Sequence, residues 1–359
     1  MKLFSTIDIY IIKKFLGTFF YAITLIISIA VVFDISENLD EFLSKDIPTR
    51  DILFEYYLNF IPYFANLFSS LFTFIAVIYF TSKMAYNTEI IAILSSGMSY
   101  IRLLWPYLVS AFIITIFTFL LGNYLIPPAN GKLIAFKDKY INAASFEAQR
   151  NIHYQIEPGV FIYIQTFSSS NIGYRFTLEK FENRELREKL TADNIRWDEE
   201  RKKWVINNYW KRTFHQGSEE IVKGYQLDTT LNVTPADFKI EKKAMETLTT
   251  PELNREIDKL TMRGVNTVPY LLERHKRFSG PFSSFILTII GATLASRKIK
   301  GGLGFHLGLG LLFSFSYILF MQISTVFAIN GSTPPGLAVW IPNLIFSIIA
   351  FFTYRWASK

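Results

Sequence analysis

The residue types that carry out catalysis are thinly spread through this chain of 359 residues. It has no cysteine, and its histidines lie far apart, at His153, His215, His275 and His306. The sequence contains no phosphate-binding loop of the G-x-x-x-x-G-K-[S/T] type, no H-E-x-x-H zinc motif and no G-x-S-x-G nucleophile motif. We therefore expect a protein that is not an enzyme, with no catalytic residue, no metal site and no cofactor.

One short segment, residues 87–97, has the composition of a docking element. Thr88 can cap the N-terminus of a helix, Glu89 favours the positive end of the helix dipole, and Gly97 suits the C-terminal cap. The apolar positions that share one face are Ile90, Ile93 and Leu94. Periodicity leaves two interpretations open. The predicted helix either docks into the groove of a partner protein or packs against the chain's own membrane spans.

Long runs without charged residues place the chain in a membrane. The runs cover residues 15–33, 56–82, 103–131, 278–296 and 301–354. The last run is divided at Asn330–Gly336, where clustered proline and glycine end helices. Because a helix needs about 20 apolar residues to cross a bilayer, the pattern predicts six spans in two groups of three. The first run is too long for a signal peptide. Gly304 and Gly308 form a G-x-x-x-G step, a weak signal for close helix packing.

The polar stretch between the third and fourth spans has the pattern of a β-domain. Its short runs of β-forming residues are 160–164, 174–179, 195–197 and 204–206. Several short strands separated by turn residues predict a sandwich or an open barrel. Pro251–Arg263 predicts an amphipathic helix that leads back to the membrane. We expect membrane units at residues 1–131 and 278–359, with the β-domain and its connecting helix at 132–277.

The basic residues of the short loops predict the orientation. One set of span ends carries most of them, including Lys13, Lys83, Arg102, Arg297 and Arg355. We expect this set on the cytoplasmic side, which makes both termini cytoplasmic and the β-domain external. The net charge of +7 partly reflects this bias. The sequence shows no clustered basic face, so we do not expect binding to nucleic acid.

Residues 88–98 resemble the coupling-helix motif of the LptF/LptG permease family. Three further features match: the opening Asp8–Phe15, the Pro127 exit of the third span, and the helix that begins around Thr249–Leu253 before the fourth span. The arrangement of three spans, an external β-domain and three spans is also the plan of that family. The chain is identified from its sequence as a member, and its opening is more similar to LptG than to LptF.

The resemblance implies a specific function. Such a protein lies in the bacterial inner membrane, carries a periplasmic jelly-roll-like all-β domain, and is the permease subunit of an ABC transporter. It pairs with an LptF/LptG-type partner permease and binds an LptB-like ATPase dimer that hydrolyses ATP. The complex extracts lipopolysaccharide from the membrane and passes it to LptC/LptA-type bridge proteins. The residues implied in ATPase coupling are Glu89, Ile90, Ile93, Leu94 and Gly97.

The resemblance also predicts a site for the lipid headgroup. Lys137 matches a position at which family members place a basic residue to meet lipid A phosphates, and Lys132 and Lys139 are its neighbours. The outer end of the first span departs from the pattern, because acidic residues stand where LptG usually has lysines. These residues are Asp34, Glu37, Asp40 and Glu41. An under-phosphorylated lipid A would reconcile the two observations.

Two other classes of function are compatible with spans around an external domain. The main alternative is a membrane-anchored receptor or scaffold whose β-domain binds a ligand or partner protein without any ATPase. A membrane-embedded enzyme is disfavoured by the lack of a catalytic cluster. The spans carry almost no charge between their ends, which argues against an ion-coupled transporter. Co-purification of an ATPase would distinguish the transport subunit from the receptor or scaffold.

Overall fold

The fold was analysed in a computed structural model, which describes residues 5–45, 47–141, 149–168, 170–215, 218–238, 244–297 and 302–358. The chain divides into two compact units. The membrane unit comprises residues 1–141, 246–251 and 268–359, and the sheet unit comprises residues 142–245 and 252–267.

Six helices within the described residues are long and apolar enough to cross a membrane, which confirms the predicted number of spans. They are α1 (Thr6–Ser44), α2 (Thr49–Tyr86), α4 (Tyr100–Ile141), α7 (Val268–Ala295), α8 (Gly302–Ile329) and α9 (Pro335–Ala357). Shorter helices lie between them: α3 (Glu89–Ser95), α5 (Ala244–Thr247) and α6 (Thr250–Met262). The helix α6 closely matches the predicted amphipathic helix.

The spanning helices extend beyond the apolar runs that predicted them. The predicted domain boundary at residue 131 falls inside α4, and the boundary at residue 277 falls inside α7. Hydropathy detects only the part of a helix that lies in hydrocarbon, whereas backbone hydrogen bonding continues into polar turns. The start of α1 is fixed by a capping box, in which Asp8 N donates to Ser5 Oγ at 3.3 Å and Ser5 N donates to Asp8 Oδ2 at 2.7 Å.

The first spanning helix packs on the membrane unit along one stripe and again near its C-terminal end, where Phe42 is buried against α2 and α4. The buried apolar residues of the stripe recur every fourth position: Ile11, Phe15, Phe19 and Ile23. They join a core cluster that includes Phe80 of α2 and Tyr107 of α4. The other faces of α1 are exposed within this chain, with Tyr21 71% and Phe33 72% accessible. A helix of this kind has one side on its own chain and an apolar remainder suited to lipid or to another membrane helix.

The described residues of the sheet unit contain one antiparallel sheet. Its strands are β1 (Gln149–Glu157), β2 (Val160–Phe167), β3 (Ile172–Glu182), β4 (Glu185–Asp198), β5 (Lys203–His215) and β6 (Ser218–Thr229). Neighbours in sequence are neighbours in the sheet. The predicted strand runs fall in β2 to β5, and the sequence analysis missed β1 and β6. The jelly-roll arrangement stays a prediction.

The core of the sheet unit lies on one face of the sheet. Alternating residues such as Ile162, Ile164 and Phe176 are buried there with Trp204. The indole Nε1 of Trp204 donates to the carbonyl oxygen of Val233 at 2.8 Å, which satisfies the polar atom of a fully buried ring. The period-two pattern of the sequence is therefore the pattern of one buried face.

Candidate functional site

The predicted docking helix exists as α3, seven residues long, in the loop between the second and third spans. Its start differs from the prediction. Thr88 has φ of 61° and makes no side-chain capping bond; its hydroxyl donates instead to Asn87 O at 2.6 Å. The capping role predicted for Thr88 is therefore wrong. The left-handed backbone at this residue turns the chain sharply from α2 into α3.

The end of α3 agrees with the sequence pattern. Gly97 has φ of +89°, and its N–H donates to Leu94 O at 3.1 Å. Only glycine adopts this left-handed conformation without a steric cost from Cβ. The turn after α3 therefore depends on Gly97, as predicted for a C-terminal glycine.

The apolar face of α3 points toward the chain's own core. Ile90 is 1% exposed, and Ile93 and Leu94 are half-buried against the cluster that contains Ile11. This arrangement matches the second interpretation of the sequence pattern for this face. The exposed positions of α3 lie elsewhere on the helix, and Ile91 is 54% accessible among them.

Glu89 begins α3 and has two hydrogen-bond donors. The Tyr10 hydroxyl donates to Oε2 at 2.9 Å, and Asn87 Nδ2 donates to Oε1 at 3.2 Å. The carboxylate remains partly exposed. Sequence reasoning missed Tyr10, because 79 residues separate it from Glu89 and no local pattern relates them.

A second contact joins the N-terminal end of α1 to the segment that follows α3. Arg102 donates from Nη1 to Asp8 Oδ1 at 2.6 Å and from Nη2 to Asp8 Oδ2 at 2.7 Å. Asp8 is 1% exposed, whereas the Arg102 side chain is 40% exposed. Such two-point guanidinium–carboxylate pairs fix orientation as well as distance. The first turns of α1 are therefore bonded to Glu89, at the start of α3, and to Arg102, which follows α3 in the chain.

The predicted headgroup lysines lie on the last turns of α4. Lys132 and Lys139 are exposed, and Lys137 is half-buried. The ammonium of Lys137 lies 5.4 Å from the centre of the Tyr56 ring, and that of Lys139 lies 4.4 Å from the Tyr140 ring. Both distances are within the range of cation–π contacts. The three lysines therefore occupy one end of a single helix.

The acidic end of α1 is partly engaged by the neighbouring helix. The hydroxyl of Tyr56 donates to Asp34 Oδ1 at 3.1 Å, and that of Tyr57 donates to Asp34 Oδ2 at 3.0 Å. Tyr56 is fully buried, and its ring also contacts Lys137. Tyr56 therefore contacts both residues, Asp34 through its hydroxyl and Lys137 through its ring.

A family model described as "Lipopolysaccharide export system permease LptF/LptG" matches residues 9–356. The chain belongs to the LptF/LptG family. Comparison with curated proteins finds no match. As a member of this family the chain is a multi-pass membrane protein and a transport subunit of lipopolysaccharide export, and it is not itself an enzyme. The three-plus-three plan and the helix α3 are thus features of an LptF/LptG permease.

This LptF/LptG permease also contains a polar cavity of about 300 Å³ within its membrane unit. Among its lining residues is Arg277, which is 7% exposed. Its Nε donates to Glu273 Oε1 at 3.0 Å, and its Nη1 donates to Leu248 O at 2.8 Å. The guanidinium thereby ties α7 to the chain just before α6. Sequence reasoning did not select Arg277, because it lies directly before the apolar run of the fourth span.

Proposed function

We propose that this chain is the permease subunit of an ABC transporter that extracts lipopolysaccharide from the bacterial inner membrane. In this proposal a separate cytoplasmic LptB-like ATPase dimer docks at α3 and supplies the driving force. The observation that carries the proposal is α3 itself. It is a short helix on a loop between two spans, with a partly exposed carboxylate at its start and exposed positions along one side.

The packing of α3 divides its residues into two roles. Ile90, Ile93 and Leu94 hold the helix on the permease, and Gly97 ends it, so these residues act in coupling by fixing its position. Glu89 and the exposed Ile91 are then the groups that meet the ATPase. A carboxylate beside an exposed apolar side chain suits a groove that carries a basic residue, because the pair strengthens when water is excluded from it.

The lipid headgroup is proposed to meet the C-terminal end of α4. Lys132, Lys137 and Lys139 offer ammonium groups that form charge-assisted hydrogen bonds with phosphate oxygens. The two tyrosine hydroxyls that bond Asp34 direct its carboxylate toward α2. This arrangement reduces the repulsion between the Asp34 carboxylate and a phosphate near Lys137. It therefore allows the lysines of α4 and the acidic end of α1 to lie near the same headgroup.

The remaining parts of the proposal concern partners and orientation. The exposed apolar faces of α1 and α8 fit an LptF/LptG-type partner permease. The sheet unit passes the lipid to LptC/LptA-type bridge proteins in the periplasm. The basic residues of the loops support cytoplasmic termini and a periplasmic sheet unit.

Glu89→Lys tests the docking proposal. Truncating one partner of a buried charge pair at an interface typically costs about 2–5 kcal/mol, and a reversed charge adds repulsion, so we expect retention of the ATPase on the purified permease to fall at least about tenfold. ATP-driven release of lipopolysaccharide from proteoliposomes should fall with it. The permease should still insert, because α3 lies outside the spans.

Ser358→Lys is the matched control, because it adds a positive charge at an exposed position on the same side of the membrane as α3. It should retain the ATPase at the wild-type level. If Glu89→Lys also retains the ATPase and the lipid release of the wild type, Glu89 serves only the start of the helix and the docking proposal is wrong. A wild-type chain that co-purifies with no ATPase would favour the receptor or scaffold alternative.

A further inference from the structure

In the described part of the chain, one direct side-chain hydrogen bond joins α1 to Glu89: the Tyr10 hydroxyl donates to the carboxylate. The donor lies on the second turn of a membrane-spanning helix, and the acceptor lies on the first residue of α3. The bond therefore joins a helix that enters the bilayer to a helix that lies outside it.

The surrounding contacts make this end of α1 a firm attachment. Asp8 is clamped by Arg102, and Ile11 is fully buried in the same cluster as Ile90. A displacement of α3 is therefore passed to the first turns of α1 through the Tyr10–Glu89 hydrogen bond and the shared apolar cluster, whereas the Asp8–Arg102 pair holds the same turns on α4. Packed elements tend to move in this way as units with small shifts.

The rest of α1 connects this attachment to the other end of the helix. Its middle turns are held on the membrane unit by one stripe of buried residues, with other faces exposed within this chain, and Phe42 is buried near its C-terminal end. A long helix packed along one side transmits a small shift of its first turns along its length as a rod. Its far end, near Asp34, lies beside Tyr56 and Tyr57 of α2.

We propose that Tyr10 is a positioning residue that couples ATPase docking to movement of α1. Its hydroxyl orients the Glu89 carboxylate, so that a shift of α3 during the ATPase cycle is transmitted to the first span. This inference rests on the proposed function, because it takes α3 to be the docking helix. It adds a specific residue and a route by which the docking helix acts on a lipid-facing helix.

Tyr10→Phe removes the hydroxyl and keeps the ring. Because a hydrogen bond to a charged group contributes a factor of roughly ten in solvent-shielded sites and less where it is exposed, we expect lipid released per ATP hydrolysed to fall about three- to tenfold. Retention of the ATPase should stay within about twofold of wild type, since Glu89 keeps its charge. The thermal unfolding midpoint in detergent should not change, which excludes a general loss of structure.

Tyr21→Phe is the matched control, because Tyr21 lies on the same helix and is 71% exposed. It should leave lipid released per ATP unchanged. In a double-mutant cycle, Tyr10→Phe should have little further effect on lipid released per ATP once Glu89→Ala has removed the acceptor, because both changes remove the same bond.

Unchanged lipid release per ATP in Tyr10→Phe would overturn the inference. Equal losses of ATPase retention and of lipid release would also overturn it, because Tyr10 would then serve docking alone. Failure of the underlying docking proposal shows separately, as full ATPase retention by Glu89→Lys.

Discussion

At the scale of single residues, Asp237 shows how one carboxylate can hold part of the sheet unit. It accepts hydrogen bonds from Lys259 Nζ at 2.7 Å, Arg263 Nη1 at 2.8 Å and the backbone N–H of Thr234 at 2.8 Å. Burial on its own would raise the pKa of Asp237, but these donors outweigh it and hold the pKa well below its usual range. The ionised form is therefore strongly preferred in the folded protein.

This preference predicts a pH dependence. A carboxyl whose pKa is depressed by folding stabilises the folded state above its unfolded pKa, near 3.9, and loses that contribution as the pH falls toward the folded pKa. We expect Asp237→Asn to lower the free energy of unfolding of the sheet unit by about 3 kcal/mol at pH 7. The difference from wild type should shrink below about pH 4. Urea unfolding of the full chain, read by hydrogen exchange in β2, measures both quantities.

Asp193→Asn supplies the comparison, because Asp193 is an exposed carboxylate on β4 with a single amide donor, Asn208. Its effect at pH 7 should stay within about 0.5 kcal/mol. An Asp237→Asn deficit that is the same at pH 7 and pH 3 would show that the ionised carboxylate is not the stabilising group.

At the scale of elements, the close approach of α2 and α7 depends on a glycine that the sequence pattern did not indicate. A Cβ at Gly291 would lie 3.0 Å from Val77 Cγ1 and 3.1 Å from the Phe74 ring, both in the core. The G-x-x-x-G step at Gly304 and Gly308 behaves differently, because a Cβ at either position would meet nothing within 4 Å. Spacing alone therefore selected the wrong glycines for packing within this chain.

We expect Gly291→Leu to destabilise the membrane unit by about 1–3 kcal/mol through overpacking between α2 and α7. Gly308→Leu places the same side chain on α8 in open space, where it gains helix propensity of up to about 1 kcal/mol. Thermal unfolding of the purified single chain in detergent should show a lower midpoint for the first variant and an equal or higher one for the second. Equal midpoints would mean that α2 and α7 can separate at no cost.

At the scale of the whole molecule, an even number of crossings predicts that both termini lie on one side of the membrane. Because the sheet unit is inserted between the third and fourth spans, we expect it on the opposite side, and we expect α3 on the side of the termini. Loop charges favour the cytoplasm for the termini.

Single cysteines test this orientation without background, because the native chain contains none. Ser95→Cys lies on α3 and Ser170→Cys lies in the turn between β2 and β3, and both positions are exposed. In cells with a permeabilised outer membrane, an impermeant thiol reagent should label Ser170→Cys alone, with Ser95→Cys labelled only after lysis. Labelling of Ser95→Cys but not Ser170→Cys in these unlysed cells would contradict the predicted topology.

The sequence by itself determined the six spans, the inserted β-domain, the existence of α3 and the turn at Gly97. Each of these depends on local physics, since hydrocarbon demands about 20 apolar residues per span, strands alternate every second residue, and glycine tolerates positive φ. The matching segment 88–98 also indicated the family. These features can be read from neighbours along the chain.

Only the tertiary structure decided which face of α3 is exposed. It also decided that Tyr10 bonds to Glu89 and that Arg102 bonds to Asp8. It placed Gly291, and not Gly308, where two helices pack closely. The partners in these contacts are far apart in sequence, and their pairing depends on helix rotation and crossing, which an apolar span leaves undetermined because lipid accepts an apolar side chain on any face. For the same reason the sequence left two positions open for Ile90, one facing a partner protein and one facing the core of its own chain, and only the tertiary contacts distinguish them.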